Sequence, residues 1–191
     1  MINLKIVLAS ASPRRQELLT RVLEEFTVII SDFQEETVKF NGDFEDYVKE
    51  ISKGKATDVA SKLVGDSLVI GVDTIVAFEG KVLGKPKDNE EAYAMLKMLS
   101  GKVHTVYSGI TLMKTLTSEI LSTSVATKIK FSNLSDEEIL NYVNTGDALD
   151  KAGAYGIQGL AGVFVEEIQG CYYNVVGLPI NKLNSMLKNF L

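Results

Sequence analysis

The stretch Val69-Ile70-Gly71-Val72-Asp73-Thr74-Ile75-Val76-Ala77-Phe78 decides how the chain is read. Nearly every residue in it is apolar, and most are β-branched or aromatic, as in a strand covered on both faces of a sheet. One carboxylate, Asp73, interrupts the run. Burying it is costly unless a cation, a set of hydrogen-bond donors or a metal compensates. On this stretch alone two roles stay open: a structural aspartate satisfied by backbone donors, and a metal ligand or general base at the floor of a cleft. The residues that follow bear on the choice. Glu79-Gly80 reads as a turn, Lys81-Val82-Leu83 as a short returning strand and Gly84-Lys85-Pro86 as its close. A hairpin of that length returns Lys85 towards the level of Asp73. An acid for a cation and a lysine for an anion, close together, suit a phosphate ester with its metal.

Upstream, the residues predict a strand over 4–9, a tight Ser10-Ala11-Ser12 connection and a helix opening Pro13-Arg14-Arg15, with Ser12 as its cap and Leu18, Leu19, Val22 and Leu23 on its buried face. The same unit gathers hydroxyls, backbone N–H groups and two guanidiniums at one helix start, which suits an anion. A second strand is expected over 27–30, running into the acidic loop Ser31-Asp32-Phe33-Gln34-Glu35-Glu36, which can supply a second carboxylate to a metal. Residues 43–64 have helical apolar spacing, weakened by Gly54, and one of the mid-helix lysines Lys53 and Lys55 can point inward.

Downstream, Asp88 is placed to cap a helix whose stripe is Ala92, Met95, Leu96 and Leu99, stopped at Ser100-Gly101. Two long β runs are expected over 103–113 and 119–131, and Ser135-Asp136-Glu137-Glu138 is a capping box for a helix through Val143. His104, the single histidine, has no nucleophile motif beside it and reads as a hydrogen-bonded structural residue. The segment 150–162 carries four glycines with alanines between them, a composition for backbone packed closely against something. Its Asp150, Lys151, Tyr155 and Gln158 are groups that read a base or hold a metal. A strand over 163–168 and a terminal helix with Leu183, Met186 and Leu187 inward complete the chain.

Composition excludes several classes. A length of 191 residues with 46% apolar content suffices for one domain, or two joined lobes, with a full core. The net charge of −5 and the absence of any basic run argue against a nucleic-acid binder. The lone Cys171 permits no internal disulfide, and one His with one Cys excludes a His/Cys zinc cluster. No apolar run approaches the ~20 residues of a membrane span, and the start, Met1-Ile2-Asn3-Leu4-Lys5, has no cleavable-signal pattern. The expectation is a soluble, cytoplasmic protein with no membrane or nucleic-acid partner.

The motifs Leu8-Ala9-Ser10-Ala11-Ser12-Pro13-Arg14-Arg15, Gly71-Val72-Asp73-Thr74, Gly84-Lys85-Pro86, Asp150-Lys151-Ala152-Gly153-Ala154-Tyr155-Gly156-Ile157-Gln158-Gly159 and Asn174-Val175-Val176-Gly177-Leu178-Pro179 together resemble the Maf family, in the family's order, from about Leu4 to the terminal helix. The resemblance implies one domain over 1–191 with an α/β, two-lobed mixed sheet, helices flanking it and a central nucleotide cleft, like inosine triphosphate pyrophosphatases. It implies cleavage of nucleoside triphosphates to the monophosphate and pyrophosphate with Mg²⁺ or Mn²⁺, and a homodimer whose candidate surfaces are the terminal helix and the hairpin over 103–131. By the same resemblance Asp73 matches the general base. Arg14, Thr74 and Gln158 match positions tied to substrate choice, and Ser10, Arg15, Lys55, Lys85 and Lys151 match other substrate contacts. Glu35, Asp73 and Asp150 match the carboxylates for the metal. Gln34 departs from a commonly acidic position and Cys171 from a common serine. Arg14 with Tyr155-Gly156-Ile157-Gln158 resembles the dTTP/UTP branch rather than the 7-methyl-GTP branch, with 5-modified pyrimidine triphosphates as further expected substrates. The family's link to septum formation supplies the competing expectation of a cell-division regulator that acts by binding a partner.

Overall fold

In the computed structural model the apolar stretch forms β3 (Ser67–Phe78), buried along its whole length except at half-buried Thr74. The structure describes residues 4–190; residues 1–3, on which the reading of the chain's start rests, lie outside them. The other strands are β1 (Lys5–Leu8), β2 (Thr27–Val28), β4 (Lys81–Leu83), β5 (Val103–Lys114), β6 (Ile120–Phe131) and β7 (Val165–Gln169). The helices are α1 (Pro13–Leu19), α2 (Phe44–Ser61), α3 (Asn89–Leu99), α4 (Asp136–Val143), α5 (Tyr172–Val176) and α6 (Ile180–Phe190). Among the described residues the strands lie in the order β2-β1-β3-β5-β6-β7, with β4 paired to β3. β1 is parallel to β2 and β3, and the β3–β4 and β6–β7 pairs are antiparallel. The fold is therefore α/β with a mixed sheet and flanking helices. No helix among the described residues is long and apolar enough to cross a membrane.

The chain divides into two compact units. The first comprises residues up to Asp73, Ser108–Val125 and the residues from Gly177 onward; the second comprises Thr74–Tyr107 and Ala126–Val176. The core of the first lies where α2 covers the sheet: Val7, Ala9 and Val69 meet Ala56, Val59 and Ala60. The core of the second gathers Phe78, Leu96, Leu99, Ile129, Phe131 and Ile139.

Local chemistry explains the element ends. Asp43 caps α2 by accepting the Glu45 and Asp46 N–H groups at 2.8 and 3.0 Å. Asp88 caps α3 through Glu91 N–H at 2.8 Å, and Ser135 with Glu138 forms the expected capping box on α4. The β3–β4 hairpin pairs Phe78 with Lys81, and its two turn residues both have positive φ, 47° at Glu79 and 77° at Gly80. That geometry matches the right-handed twist of the strands it joins.

Four expectations are corrected. α1 stops at Leu19, so Val22 and Leu23 follow it in a turn and are half-buried. β2 keeps only Thr27–Val28, because the chain leaves β1 after the Ile29 N–H to Leu8 carbonyl bond. α2 ends at Ser61 rather than at 64. β7 begins at Val165, because Leu160–Phe164 is a 3₁₀ turn.

His104 is 2% exposed, and its Nε2 lies 2.7 Å from the Tyr155 hydroxyl. Its ring stands edge-on to Phe131 at 4.9 Å, and among the described residues Nδ1 has no hydrogen-bond partner. It is structural, as its sequence context suggested. Burial depresses its pKa from 6.5 to about 4. The folded state thus binds fewer protons than the unfolded chain between these values. The stability this neutral ring contributes is present above pH 6.5 and is lost as pH falls towards 4. His104→Gln should abolish about 2 kcal/mol of the stability difference between pH 7 and pH 5. Urea midpoints of both proteins at the two pH values check this, and equal pH differences would refute it.

Candidate active site

The site in the first unit is built by a helix lying unusually close to the sheet. A Cβ at Gly71 of β3 would stand 2.1 Å from the Ser52 carbonyl oxygen, and one at Gly109 of β5 2.1 Å from the Val48 carbonyl oxygen. Two strands therefore present bare backbone to successive turns of α2. Residues 71 and 73 share a face of the strand. Lys55 follows Ser52 by about one helical turn, so the contact that needs Gly71 also sets Lys55 over Asp73. Lys55 Nζ donates to Asp73 Oδ1 at 2.7 Å and meets Glu35 Oε1 at 2.7 Å. A buried hydroxyl row, Ser52 to Thr111 and Thr111 to Ser122 at 2.8 Å each, ties α2 to β5 and β6 beside it.

Glu35 reaches this lysine because its loop is seated on α2. The Phe33 ring occupies the space a side chain at Gly54 would need, 2.3–2.5 Å from the position of that Cβ. Asp58 anchors the start of the loop, accepting from Ser31 Oγ and Asp32 N–H at 2.8 Å each. Gly54, read as a weakness in the helix, is thus the seat of the acidic loop, and α2 runs through it unbroken.

Asp73 is 6% exposed. Burial raises its pKa above the ordinary carboxylate value, against the opposing pull of Lys55 and Arg15. Arg15 is held by Nε to the Gly177 carbonyl at 2.9 Å, and by Nη1 to Ser10 Oγ at 3.1 Å and the Val72 carbonyl at 3.2 Å. Burial lowers its pKa despite the neighbouring carboxylates. These bonds make Arg15 a brace next to Asp73. Tyr47, which the sequence reading did not single out for the site, has its hydroxyl pKa raised by burial and by the charges of Asp73 and Glu35. Arg14 follows Pro13 in the first turn of α1 and is half-buried.

The second unit holds Thr74, Lys85, Asp150, Lys151 and Gln158. The Gly153 N–H donates to the Gly84 carbonyl at 3.0 Å, which joins the Lys85 segment to the glycine-rich one. Lys85 and Gln158 are exposed. Lys151 Nζ donates to Asp150 Oδ1 at 2.7 Å and Asp147 Oδ1 at 2.9 Å. Tyr155, grouped by sequence with base-reading residues, instead faces the core at 6% exposure, because its hydroxyl is committed to His104. Asp147 was missed; its only signal in the sequence is its place four residues before Lys151.

Glu35 and Asp73 converge on one cationic group, and hard carboxylate oxygens suit Mg²⁺ or Mn²⁺. Among the described residues no cluster of three or more His, Cys, Asp or Glu side chains is preassembled. One or two carboxylates completed by water and substrate phosphate is the usual way Mg²⁺ is held, so the residues fit the ion.

The family model described as Maf-like protein matches residues 5–190. The dTTP/UTP pyrophosphatase of Clostridium novyi (strain NT) is 61% identical over 180 residues, covering 94% of each chain. The dTTP/UTP pyrophosphatase of Clostridium botulinum (strain Alaska E43 / Type E3) is 55% identical over 185 residues, covering 97% of this chain and 98% of that one. Among solved structures, the Ham1 protein of Staphylococcus aureus matches with a TM-score of 0.52 at 16% identity over 97% of this chain and 98% of that one, a likeness of fold.

Proposed function

Because the chain belongs to the Maf-like protein family, we propose that it is a nucleoside triphosphate pyrophosphatase that hydrolyses dTTP and UTP to the monophosphate and pyrophosphate. The names of its relatives support the reaction and the pyrimidine substrates. The observation in this chain that carries the reading is buried Asp73, its pKa raised, held with Glu35 on the Lys55 ammonium. A carboxylate tuned upward by burial is suited to take a proton near neutral pH.

In this mechanism a water oxygen bonds to the α-phosphorus, the bond from that phosphorus to the α–β bridging oxygen breaks, and Asp73 takes the water's proton. Lys55 holds the Asp73 carboxylate in place, and Lys55 and Arg15 oppose negative charge on the triphosphate. Arg14, Ser10, Lys85 and Lys151 contribute donors for phosphate oxygens. Thr74 and Gln158 hydrogen-bond the pyrimidine edge; bases that leave those groups unpaired are disfavoured. Glu35 and Asp73, with Asp150 as a further carboxylate, would hold Mg²⁺ or Mn²⁺, which when bound neutralises phosphate charge and acidifies water.

Pyrophosphate release from a panel of canonical and modified triphosphates, with Mg²⁺, with Mn²⁺ and with chelator, tests the proposal. Metal-dependent release from dTTP and UTP, with little from purine triphosphates, is expected. Release led by 7-methyl-GTP would overturn the substrate assignment, and no release from any triphosphate would overturn the enzyme.

The seat at Gly54 gives a further expectation. Gly54→Ala improves helix propensity by about 1 kcal/mol but displaces Phe33 and with it Glu35. The metal concentration for half-maximal rate should rise roughly tenfold, the loss expected for one charged contact. A metal titration at fixed dTTP checks it, and an unchanged midpoint would separate Glu35 from the metal.

A further inference from the structure

Gly156-Ile157-Gln158-Gly159 is a tight turn closed by the Gly159 N–H to Gly156 carbonyl bond at 3.1 Å, with Ile157 and Gln158 at its corners. Both ends of the turn rest on one side-chain cluster. A Cβ at Gly156 would lie 2.7 Å from Lys151 Cε and 2.8 Å from its Cδ, and one at Gly159 would lie 2.7 Å from Asp147 Oδ2. The Lys151 stem and the Asp147 carboxylate thus occupy the space that side chains at these glycines would need. Lys151 Nζ donates to Asp147 Oδ1 at 2.9 Å and also to the Asp147 carbonyl. The Tyr142 hydroxyl donates to Asp147 Oδ2 at 3.3 Å. Burial raises the pKa of the same hydroxyl, and the nearby Gly156 backbone N–H opposes that rise. Tyr142 is 4% exposed, and its ring stands edge-on to Phe164 at 5.4 Å, fixed by the core rather than by the turn.

We propose that Tyr142 and Asp147, acting with the Lys151 stem, are positioning residues that clamp the 156–159 turn and so set base selectivity through Gln158; this rests on the reading of Gln158 as a base contact. The clamp connects the turn to α4, a rigid element of the core. It also accounts for glycine at both 156 and 159. A selective hydrogen bond from Gln158 needs its backbone fixed, because a mobile donor pairs with any acceptor it can reach.

Tyr142→Phe removes the hydroxyl and keeps the ring on Phe164; Asp147→Asn keeps the shape and removes the charge. In each, KM for dTTP should rise roughly three- to tenfold, with kcat within about twofold, and the kcat/KM preference for dTTP over dCTP should fall by a similar factor. In a Gln158→Ala background, Tyr142→Phe should change that preference no further, the non-additivity expected of residues acting through one group. Amide hydrogen exchange at Gly156 should accelerate about tenfold in Tyr142→Phe. Unchanged exchange would overturn the clamp. Accelerated exchange with unchanged preference, or additive effects in the double variant, would overturn its role in selectivity. Failure of the wild-type protein to cleave dTTP and UTP would instead overturn the substrate reading and the base-selectivity role with it, leaving the exchange experiment to judge the clamp.

Discussion

Asp73→Asn is expected to lower pyrophosphate release from dTTP by about 10²- to 10⁴-fold, the usual contribution of a positioned general base, in a protein that is at least as stable as wild type at pH 7. The loss follows from the role: asparagine matches the size of the aspartate but accepts no proton from water. The stability half follows from the sign of the pKa shift. Burial opposes ionisation of Asp73 more than Lys55 and Arg15 favour it, so its folded pKa lies above its unfolded value. Such a carboxyl contributes stability that is present below the unfolded pKa and is lost as pH rises through the folded one. At neutral pH the Asp73 carboxylate is therefore a cost to folding that an amide removes. Activity has the opposite dependence on pH, because only the deprotonated base works. The acid limb of kcat/KM should lie above the ordinary carboxylate range and should vanish with the variant. Initial rates from pH 4 to 9 and paired melting curves check both halves. Near wild-type turnover with unchanged metal dependence would remove Asp73 from the role of base, and a clear drop in melting temperature would show that its ion pairs outweigh its desolvation.

Gly71→Ala should destabilise the protein by about 3 kcal/mol, the upper end of the usual range for overpacking, because the surface it meets cannot yield. The added methyl would stand 2.1 Å from the Ser52 carbonyl oxygen and 2.9 Å from Ala56 N and Cβ. These are helix backbone and a short rigid side chain, so relief requires α2 itself to move. That movement lifts Lys55 off Asp73 and costs activity in the protein that remains folded. Gly109→Ala should behave similarly, because its methyl meets the Val48 carbonyl oxygen one turn earlier on the same helix. Gly84→Ala is the control: no heavy atom lies within 4 Å of its Cβ position, and its stability should stay within about 0.5 kcal/mol of wild type. Urea unfolding of the three variants decides the matter. A Gly71→Ala midpoint like that of Gly84→Ala would show that α2 is not held where the structure places it.

The consequences of these glycines explain which parts of the site were legible beforehand. Asp73 stood out because a single carboxylate in a β-branched run is chemically anomalous, and the anomaly survives in any fold that buries the run. By helical spacing Lys55 was one of two equivalent lysines, and only the family resemblance preferred it over Lys53. The structure separates them by rotation about the α2 axis: Lys53 is exposed, and Lys55 lies on the face held down by Gly71. Among the acids of its loop Glu35 was preferred only by the family resemblance, and the Phe33–Gly54 contact together with the Asp58 anchor brings it to the lysine. Tyr155 was misgrouped because a tyrosine among glycines looks like a ligand contact; its commitment to His104 is a pairing across 51 residues of sequence.

By itself the sequence determined the element types, the caps and the strand at the centre, because hydrophobic period, capping side chains and turn glycines act over a few residues. It also determined the family, through motifs whose order runs the length of the chain. The tertiary structure alone decided which charges meet. Glu35, Lys55 and Asp73 are brought together by the closeness of a helix to two strands, and Tyr142, Asp147 and Gly156 by the seating of a turn on a core tyrosine. Both are non-local: each depends on where a backbone lacking a Cβ allows another segment to approach, and no period or motif within either segment records that distance.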